Sequence, residues 1–545
     1  MSHYTATIID TTGIQKYIFG SNRLRENIGA SHLVKLATTK WVEDCLKKIG
    51  HVHIPNKDQN ELEPKIHKDS SLVAELVYAG GGNTVILFRD DERDYEKAKE
   101  FTRYLTKKIL EDAPGLNVVI THQDFNWKTQ LLSNIIDDKL INEKLDAKKR
   151  KPNPSVPLLG LSITATCNST GLVAVEDTDG KYKIPKGEGY LASREIVAKL
   201  IAAETANEEL EKLLSLKGTY KVARDVDDMG RSEGESSYIA IVHADGNKMG
   251  QRFEEYAKNS CNQGSSISEK NEKYIVAMRN LSGSVDRAGE KTIEEIGAVL
   301  NNAIERKFVN IKENYFPFRP IVYGGDDITF VCDGRLGISL AVEFLKRFEK
   351  NTKNLPDEKG KVVTACAGIA IVKTHYPFAR AYELCEALCG NAKKFLQKEI
   401  EDRKPMFSAI DWHIAASGVL GTISEVRERE YQGGKLTARP MRSHEYAAYQ
   451  IMWEDLAKVI QEFKEGEAWK DKRNKVINLR QVLRKGAKAT EQFLIACGDE
   501  LPKFPRADSI LRKQGWLNNK CYYFDAIETM KFHIPLGEDN VLNQD

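Results

Sequence analysis

The chain has 545 residues, enough for about three to four domains at roughly 150 residues each. Apolar residues make up 41% and charged residues 29%, so a packed core is feasible and global disorder is not expected. Lys plus Arg number 81 against 79 Asp plus Glu, a formal net charge of +2; this argues against holding nucleic acid by bulk positive charge, though not against a local basic groove.

The segment Met1 to Asp10 has no basic region followed by an apolar one, so no secretory signal is read there. The most apolar run, 362–372, is too short for a bilayer span of roughly 20 residues. The uncharged run 152–175 is rich in Pro, Ser, Thr and Asn. No membrane association is expected. The nine Cys are scattered and form no CxxC pair. Cys385 and Cys389, at i, i+4 of a helical pattern, read as two buried thiols on one face. A cytoplasmic protein with reduced thiols is the expectation.

In chain order, residues 5–10 read as an opening strand and 14–49 as largely helical, followed by a polar loop over 51–70. Residues 72–78 and 84–88 are two β runs around Ala79-Gly80-Gly81-Gly82-Asn83, a hairpin signal. Residues 91–111 are helix-periodic and 116–125 form a strand, giving the order β-α-β-β-α-β. The same order returns later. Residues 237–243 are a strand, and a long polar, helical stretch follows to about 310. The β runs 320–323 and 328–332 flank Gly324-Gly325-Asp326-Asp327, then come a helix over 337–350, a strand over 362–372 and a helix over 377–397.

The two units align. Ile8-Ile9-Asp10-Thr11-Thr12-Gly13 lies on Ile241-Val242-His243-Ala244-Asp245-Gly246, and Tyr78 with the triple glycine and Asn83 lies on Tyr323 to Asp327, within one residue. Two diverged copies of one fold are expected. In this alignment Thr12 stands opposite Asp245, and Gly82 and Asn83 stand opposite Asp326 and Asp327, so only the second copy keeps its carboxylates. Between the copies, 128–235 begins with a charged helix and the basic run Lys148-Lys149-Arg150-Lys151, followed by a Pro-rich turn over 152–157. After about 441 the chain is charged and helical, with apolar residues at helical spacing in 446–463 and 475–497.

Asp326 and Asp327 sit at a hairpin tip, with Asp245 at the end of the preceding strand. If strand and hairpin lie side by side, three carboxylates meet at one sheet edge. Such a cluster repels itself unless cations neutralise it, and hard oxygen ligands suit Mg²⁺ or Mn²⁺. Gly324 and Gly325 let a phosphate chain approach the backbone. The matching chemistry is two-metal phosphoryl or nucleotidyl transfer. Alone, Gly-Gly-Asp-Asp is also a good turn sequence; the flanking strands, Asp245 and the acid-free repeat favour chemistry.

These pieces resemble the large polymerase subunit of type III CRISPR effector complexes, a two-palm nucleotide cyclase that makes cyclic oligoadenylates. Thr12 to Phe19 and Leu24 to Ser31 resemble the family's first-palm opening, and Cys167-Asn168-Ser169-Thr170-Gly171 a segment between the palms. Ala244 to Gly250 and Tyr323 to Asp327 resemble the second palm's strand motif and metal hairpin, and Ala367 to Ala370 with Asn391 to Lys394 complete that palm. The resemblance covers roughly 1–440 and continues more loosely into the helical tail. It implies an α+β protein of two ferredoxin-like βαββαβ palms: a degenerate palm over 1–127, a connecting region over 128–235, a catalytic palm over 236–400, and a linker with a helical C-terminal domain over 401–545.

The resemblance further implies that Asp245, Asp326 and Asp327 hold the metals, with the Gly246 carbonyl as an extra ligand. Lys393 would grip triphosphate, and Gly80, Gly81 and Gly82 would cradle an acceptor nucleotide. A 3′-hydroxyl of one ATP or other NTP would attack the α-phosphate of another. Guide or target RNA and small helical effector subunits are the implied partners. None of the eleven His is followed by Asp, so the family's His-Asp nuclease domain is not expected. Cys167 is the only Cys between Cys45 and Cys261, so a four-thiol zinc site cannot form there. His243 reads as a core or edge histidine, Asp10 as structural, the basic run as a solvated face, and Arg439-Pro440 as a turn. Ser282 and Ser284 could reach an adenine, though nothing in the sequence fixes that. A non-catalytic palm scaffold and a diguanylate-type cyclase remain as alternatives; the hairpin's Asp-Asp in place of Asp-Glu-Phe speaks against the latter.

Overall fold

The computed structural model describes residues 3–56, 61–80, 82–89, 95–150, 160–216, 218–229, 237–357, 361–401, 406–415, 421–444, 451–505 and 509–537. Gly81, Lys151 and the Pro-rich turn over 152–157 lie outside the described residues.

The first unit comprises β1 (His3–Thr12), α1 (Ile14–Phe19), α2 (Leu24–Thr38), β2 (Ala74–Gly80), β3 (Asn83–Arg89), α3 (Glu96–Asp112) and β4 (Asn117–Asn126). Its strands lie in the order β2-β3-β1-β4, with Val52–His53 on the outer edge. Helix α3 forms because Ala98, Phe101, Leu105 and Ile109 recur at three- and four-residue spacing and are buried together. A π-helical segment, Ile135–Leu145, runs back over β1 and β4. The sequence leads one to expect a charged helix here; its π winding was not legible.

A connecting helix, α4 (Arg194–Leu213), packs along α2. The second unit then comprises β5 (Tyr238–Gly246), α5 (Met249–Asn262), α6 (Ile267–Glu305), β6 (Phe318–Gly324), β7 (Asp327–Asp333), α7 (Gly337–Asn351), β8 (Ala365–Lys373) and α8 (Phe378–Glu401). Its core order, β6-β7-β5-β8, repeats that of the first unit. A further strand, β9 (Ala409–Ala415), adds parallel to β8. Both hairpins carry a register shift, at Leu76/Tyr78 and at Pro320/Val322. The internal repeat is thus present in the backbone.

The ladders correct one expectation. Gly80 pairs with Asn83, and Asn83 with Asp10; Gly324 pairs with Asp327, and Asp327 with Asp245. Asp10, not Thr12, therefore occupies the place of Asp245. The sequence alignment was displaced by two residues, a slip that keeps every side chain on its own face and so leaves no trace in the hydrophobic pattern.

The units are fastened reciprocally: α2 packs on β6, and α6 packs on β2. Ile9, Phe19, Ala30 and Ile86 share one core with Ile239, Ile241, Val331 and Phe378. The alternate residues Ala240, Val242, Phe330 and Ile369 join a core on the other face with Trp412, Leu456 and Phe524. The second sheet is covered on both sides, and its strands read as near-continuous apolar runs for that reason.

The tail folds as α9 (Trp453–Glu465), α10 (Arg473–Leu483), α11 (Ala487–Cys497) and α12 (Tyr523–Thr529). It is pinned by Arg439, which sequence reading treated as a plain turn. The Arg439 guanidinium is fully buried, 3.1 Å from Asp525 and 3.1 Å from Glu528, and donates to the Trp412 carbonyl. Cys385 and Cys389 are buried, and all nine cysteines are free thiols.

Candidate active site

The site is built at the ends of β5, β6 and β7. A two-residue turn, Gly325-Asp326, closes the β6–β7 hairpin between the paired Gly324 and Asp327. Gly324 and Gly325 have φ of 129° and 72°, a left-handed backbone that L side chains resist. Asp327 lies directly across from Asp245 on the same face of neighbouring strands. The Gly246 amide donates to the Asp326 carbonyl at 3.1 Å. A Cβ on Gly246 would stand 2.8 Å from the Asp326 Cβ and Oδ2, so glycine is needed there for Asp326 to lie against β5.

These carboxylates sense one another. Burial, and then the charge of Asp245, push Asp326 up to about 7. The same two causes push Asp327 up to about 7; half of its side chain (51%) stays open to water, which moderates the repulsion. Lys393, on α8, forms an ion pair with Asp245. Burial opposes the charge on Lys393, but the Asp245 hydrogen bond and charge outweigh it and raise its pKa. His243 is buried, 3.1 Å from the Thr329 hydroxyl and 3.3 Å from Asp327, and burial lowers its pKa. It is a neutral neighbour of the acids.

Among the described residues no three His, Cys, Asp or Glu side chains converge as a ready-made metal site. Lys393 stands beside Asp245 where a cation would otherwise balance it. The donor set still fits a hard divalent ion: three carboxylates from two adjoining strands and a turn, two of them pushed up to about 7 by burial and then by the charge of Asp245, are what such an ion stabilises.

In the first unit Gly80 and Gly82 occupy the hairpin tip, and the Thr11 hydroxyl donates to the Gly82 carbonyl at 3.1 Å. Asp10 pairs with Lys149, and Lys148 donates to the Ile120 carbonyl at 2.7 Å. Part of the basic run is therefore spent on the protein itself.

Sequence reading expected the long helical stretch before 310 but not that it joins the two tips. Helix α6 carries Arg279, which donates to the Val77 and Leu76 carbonyls at 2.9 and 2.6 Å and to Glu75 at 2.8 Å. One and two turns on stand Ser282 and Asp286, which a Cβ on Gly80 would meet at 3.6 and 3.5 Å. One further turn on, a Cβ on Gly289 would stand 2.5 Å from the Gly325 carbonyl oxygen. Ser282 is thus near the first tip, while Ser284 bonds with Arg287. Glu386 on α8, which accepts from Gln15 of α1 at 2.7 Å, was also not anticipated. Gly289, one of three glycines inside this helical pattern with Gly283 and Gly297, was the available signal.

Two reciprocally packed βαββαβ units, one acidic at its hairpin and one not, define a two-palm protein of the nucleotide cyclase and polymerase architecture. Residues 238–400 match the family model of the second palm domain of Cas10/Cmr2. The fold is similar to that of Csm1 in T. onnurineus (TM-score 0.51, 15% identity, covering 97% of this chain and 70% of that chain). It is also similar to a Csm1–Csm4 cassette in complex with AMPPNP (0.50, 14%, 98% and 70%), and a cassette in complex with cA4 aligns at 0.41 and 14% over 72% of this chain and 53% of that one. The chain thus spans about half to 70% of the length of these proteins. No curated protein matches the sequence. Residues 238–400 are thus similar to the second palm domain of Cas10/Cmr2, and the chain as a whole has a two-palm fold similar to that of Csm1. No helix among the described residues is long and apolar enough to cross a membrane.

Proposed function

We propose that this chain is a nucleotidyltransferase that joins ATP, or related NTPs, into a cyclic oligonucleotide signal within type III CRISPR-type defence. The observation that carries this reading is the acidic hairpin: Asp245 across from Asp327, Asp326 folded against Gly246, and both hairpin acids pushed up to about 7. The Cas10/Cmr2 match over 238–400 and the AMPPNP named for one similar cassette support it.

In this reading Asp245, Asp326, Asp327 and the Gly246 carbonyl hold Mg²⁺ or Mn²⁺, which would supply charge neutralisation at the phosphate and a more acidic hydroxyl. Gly324 and Gly325 leave the backbone open to the phosphates. Lys393 releases Asp245 and turns its ammonium to the triphosphate. Gly80 to Gly82 receive the acceptor nucleotide. A bond forms from the acceptor 3′-oxygen to the α-phosphorus. The bond to the bridging oxygen breaks, pyrophosphate leaves with the electron pair, and the hydroxyl proton passes to water.

The Lys393–Asp245 ion pair favours a second reading, a palm scaffold in an RNA-guided complex with small helical subunits. Product analysis decides between them. The purified chain is incubated with each NTP and Mg²⁺ or Mn²⁺, with and without guide–target RNA, and products are read by mass spectrometry. Joined nucleotides that vanish in Asp326→Ala/Asp327→Ala support the enzyme; no product under any condition refutes it.

A further inference from the structure

A cleft of about 1200 Å³ opens between the second palm and the helical tail, where β9 and the start of β5 face α10 and the segment 530–534. Drug-sized ligands take about 300–1000 Å³, so this space exceeds what one mononucleotide needs. It lies on the opposite side of the second sheet's core from the first palm.

Its rim is cationic. Lys472, Arg473 and Lys531 are exposed lining residues with no carboxylate partner among the described residues. Arg484 donates to the Glu430 carbonyl and lies over the Phe524 ring, with no carboxylate partner among the described residues. Of the acids in the lining, Asp333 is engaged by Arg335, Glu528 by Arg439 and Arg480, and Glu430 by Arg429, which leaves the exposed Asp471 against these cations, so surplus positive charge remains. The interior is different. His413 of β9 is 4% exposed and lines the cleft, and its Nδ1 has no hydrogen-bond partner among the described residues. Burial, then the charges of Arg439 and Arg427, hold it down at about 3. A neutral imidazole offers one donor and one acceptor, and an unmet polar atom in a protein interior calls for an explanation. Elsewhere in the lining Tyr238 and Phe532, both half-buried, meet edge to face at 4.9 Å.

We propose that this cleft is a binding site for a short single-stranded oligonucleotide of about four nucleotides, its phosphates on Lys472, Arg473, Arg484 and Lys531, one base edge on His413 and one base face on Tyr238 and Phe532. Cations that track a backbone, with aromatic faces and a neutral hydrogen-bonding group beneath, are what such a ligand uses. An acidic peptide would use the rim but neither the imidazole nor the rings. The site stands whether or not the palm joins nucleotides. The occupant could be an oligonucleotide product or a strand end, and the two share this chemistry.

The test is fluorescence anisotropy on the full chain with a labelled adenylate tetramer, a labelled single-stranded DNA tetramer and a tetramer of abasic deoxyribose phosphates. Saturating ATP is present to fill the palm. We expect saturable binding in the presence of ATP, photo-cross-links within 472–484 or 530–534, and weakening of about 50-fold between 50 and 200 mM salt for four phosphate contacts. Lys472→Glu/Arg473→Glu, at two exposed positions, is expected to weaken binding at least tenfold with thermal stability unchanged. His413→Leu is expected to abolish the preference for the base-bearing tetramers over the abasic one; should it not fold, Phe532→Ala is read the same way. A preference for the adenylate over the DNA tetramer points to product, and equal binding points to strand ends. Unchanged affinity in the charge reversal, cross-links confined to the palm, or equal displacement by a hexaglutamate peptide overturns the proposal.

Discussion

Gly289→Ala sets two effects of similar size against each other. In an exposed helix interior, Ala in place of Gly stabilises by about 1 kcal/mol. At this position the new Cβ stands 2.5 Å from the Gly325 carbonyl oxygen, and reaching ordinary contact requires a displacement of roughly 0.7–1 Å. Forcing a methyl into a close-packed contact costs about 1–3 kcal/mol, so the net change in stability is a loss of about 0–2 kcal/mol. The displaced atoms belong to the turn that carries Asp326. Misplacing a reacting group by about 1 Å costs on the order of 100-fold in rate, so product formation is expected to fall about 10- to 100-fold while the fold survives. Gly283→Ala, on the same helix, is the control: its Cβ would meet only the movable end of Arg287, at 3.3 Å, and it should gain stability with activity intact. Urea denaturation gives the first quantity and initial rates of pyrophosphate release the second. A Gly289→Ala protein that gains about 1 kcal/mol and reacts at the parental rate would falsify the packing argument.

Three further outcomes follow from the same contacts. Asp326 and Asp327 hold protons to about pH 7 in the folded chain but release them near 3.8 when unfolded; the folded state therefore binds more protons between about pH 4 and 7, and stability falls as the pH rises through that window. In chelator-treated buffer, Asp326→Asn/Asp327→Asn is expected to exceed the parent in thermal stability above pH 7 and to match it near pH 4; the same offset at both pH values refutes this. Lys393→Ala removes the cation beside Asp245, so Mg²⁺ alone should raise the melting temperature of the variant more than that of the parent, while the KM for NTP rises; no change in either counts against the assigned role. Arg439→Ala leaves the fully buried Asp525 without its charge partner, which costs about 3–5 kcal/mol. Hydrogen exchange should then quicken across Trp453–Glu465 and Tyr523–Thr529 before it does so in the palm strands, and Arg439→Lys should restore little, since one ammonium cannot serve both acids and the Trp412 carbonyl.

Much of the site was legible because it rests on local chemistry. A two-residue turn between β runs needs glycine at positive φ, so Gly324-Gly325-Asp326-Asp327 announced its hairpin, and the end of β5 followed from a run of apolar residues stopping at Asp245. The place of Asp10 was not legible: a two-residue slip leaves the alternation of faces intact, and only the ladder from Gly80 through Asn83 to Asp10 reveals it. Arg439 shows the same limit. Its neighbours in sequence describe a turn, whereas its partners, Asp525 and Glu528, lie more than eighty residues away.

The amino-acid sequence by itself determined that there are two βαββαβ units, that one carries acids at its hairpin and the other glycine and asparagine, and that a charged helical tail follows. These are properties of periodicity and turn chemistry, which act over a few residues. Only the tertiary structure decided how the units meet. Helix α2 crosses to the second hairpin and α6 to the first, and a single helix touches both glycine tips because Gly289 has no side chain to hold it away from Gly325. The near-neutral charge also acquired a location there: Lys149 is spent on Asp10 and Lys393 on Asp245, while Lys472, Arg473 and Lys531 are left along one cleft. A charge total is indifferent to position; the fold, by bringing distant segments within a few ångströms, decides which charges cancel and which remain to meet a ligand.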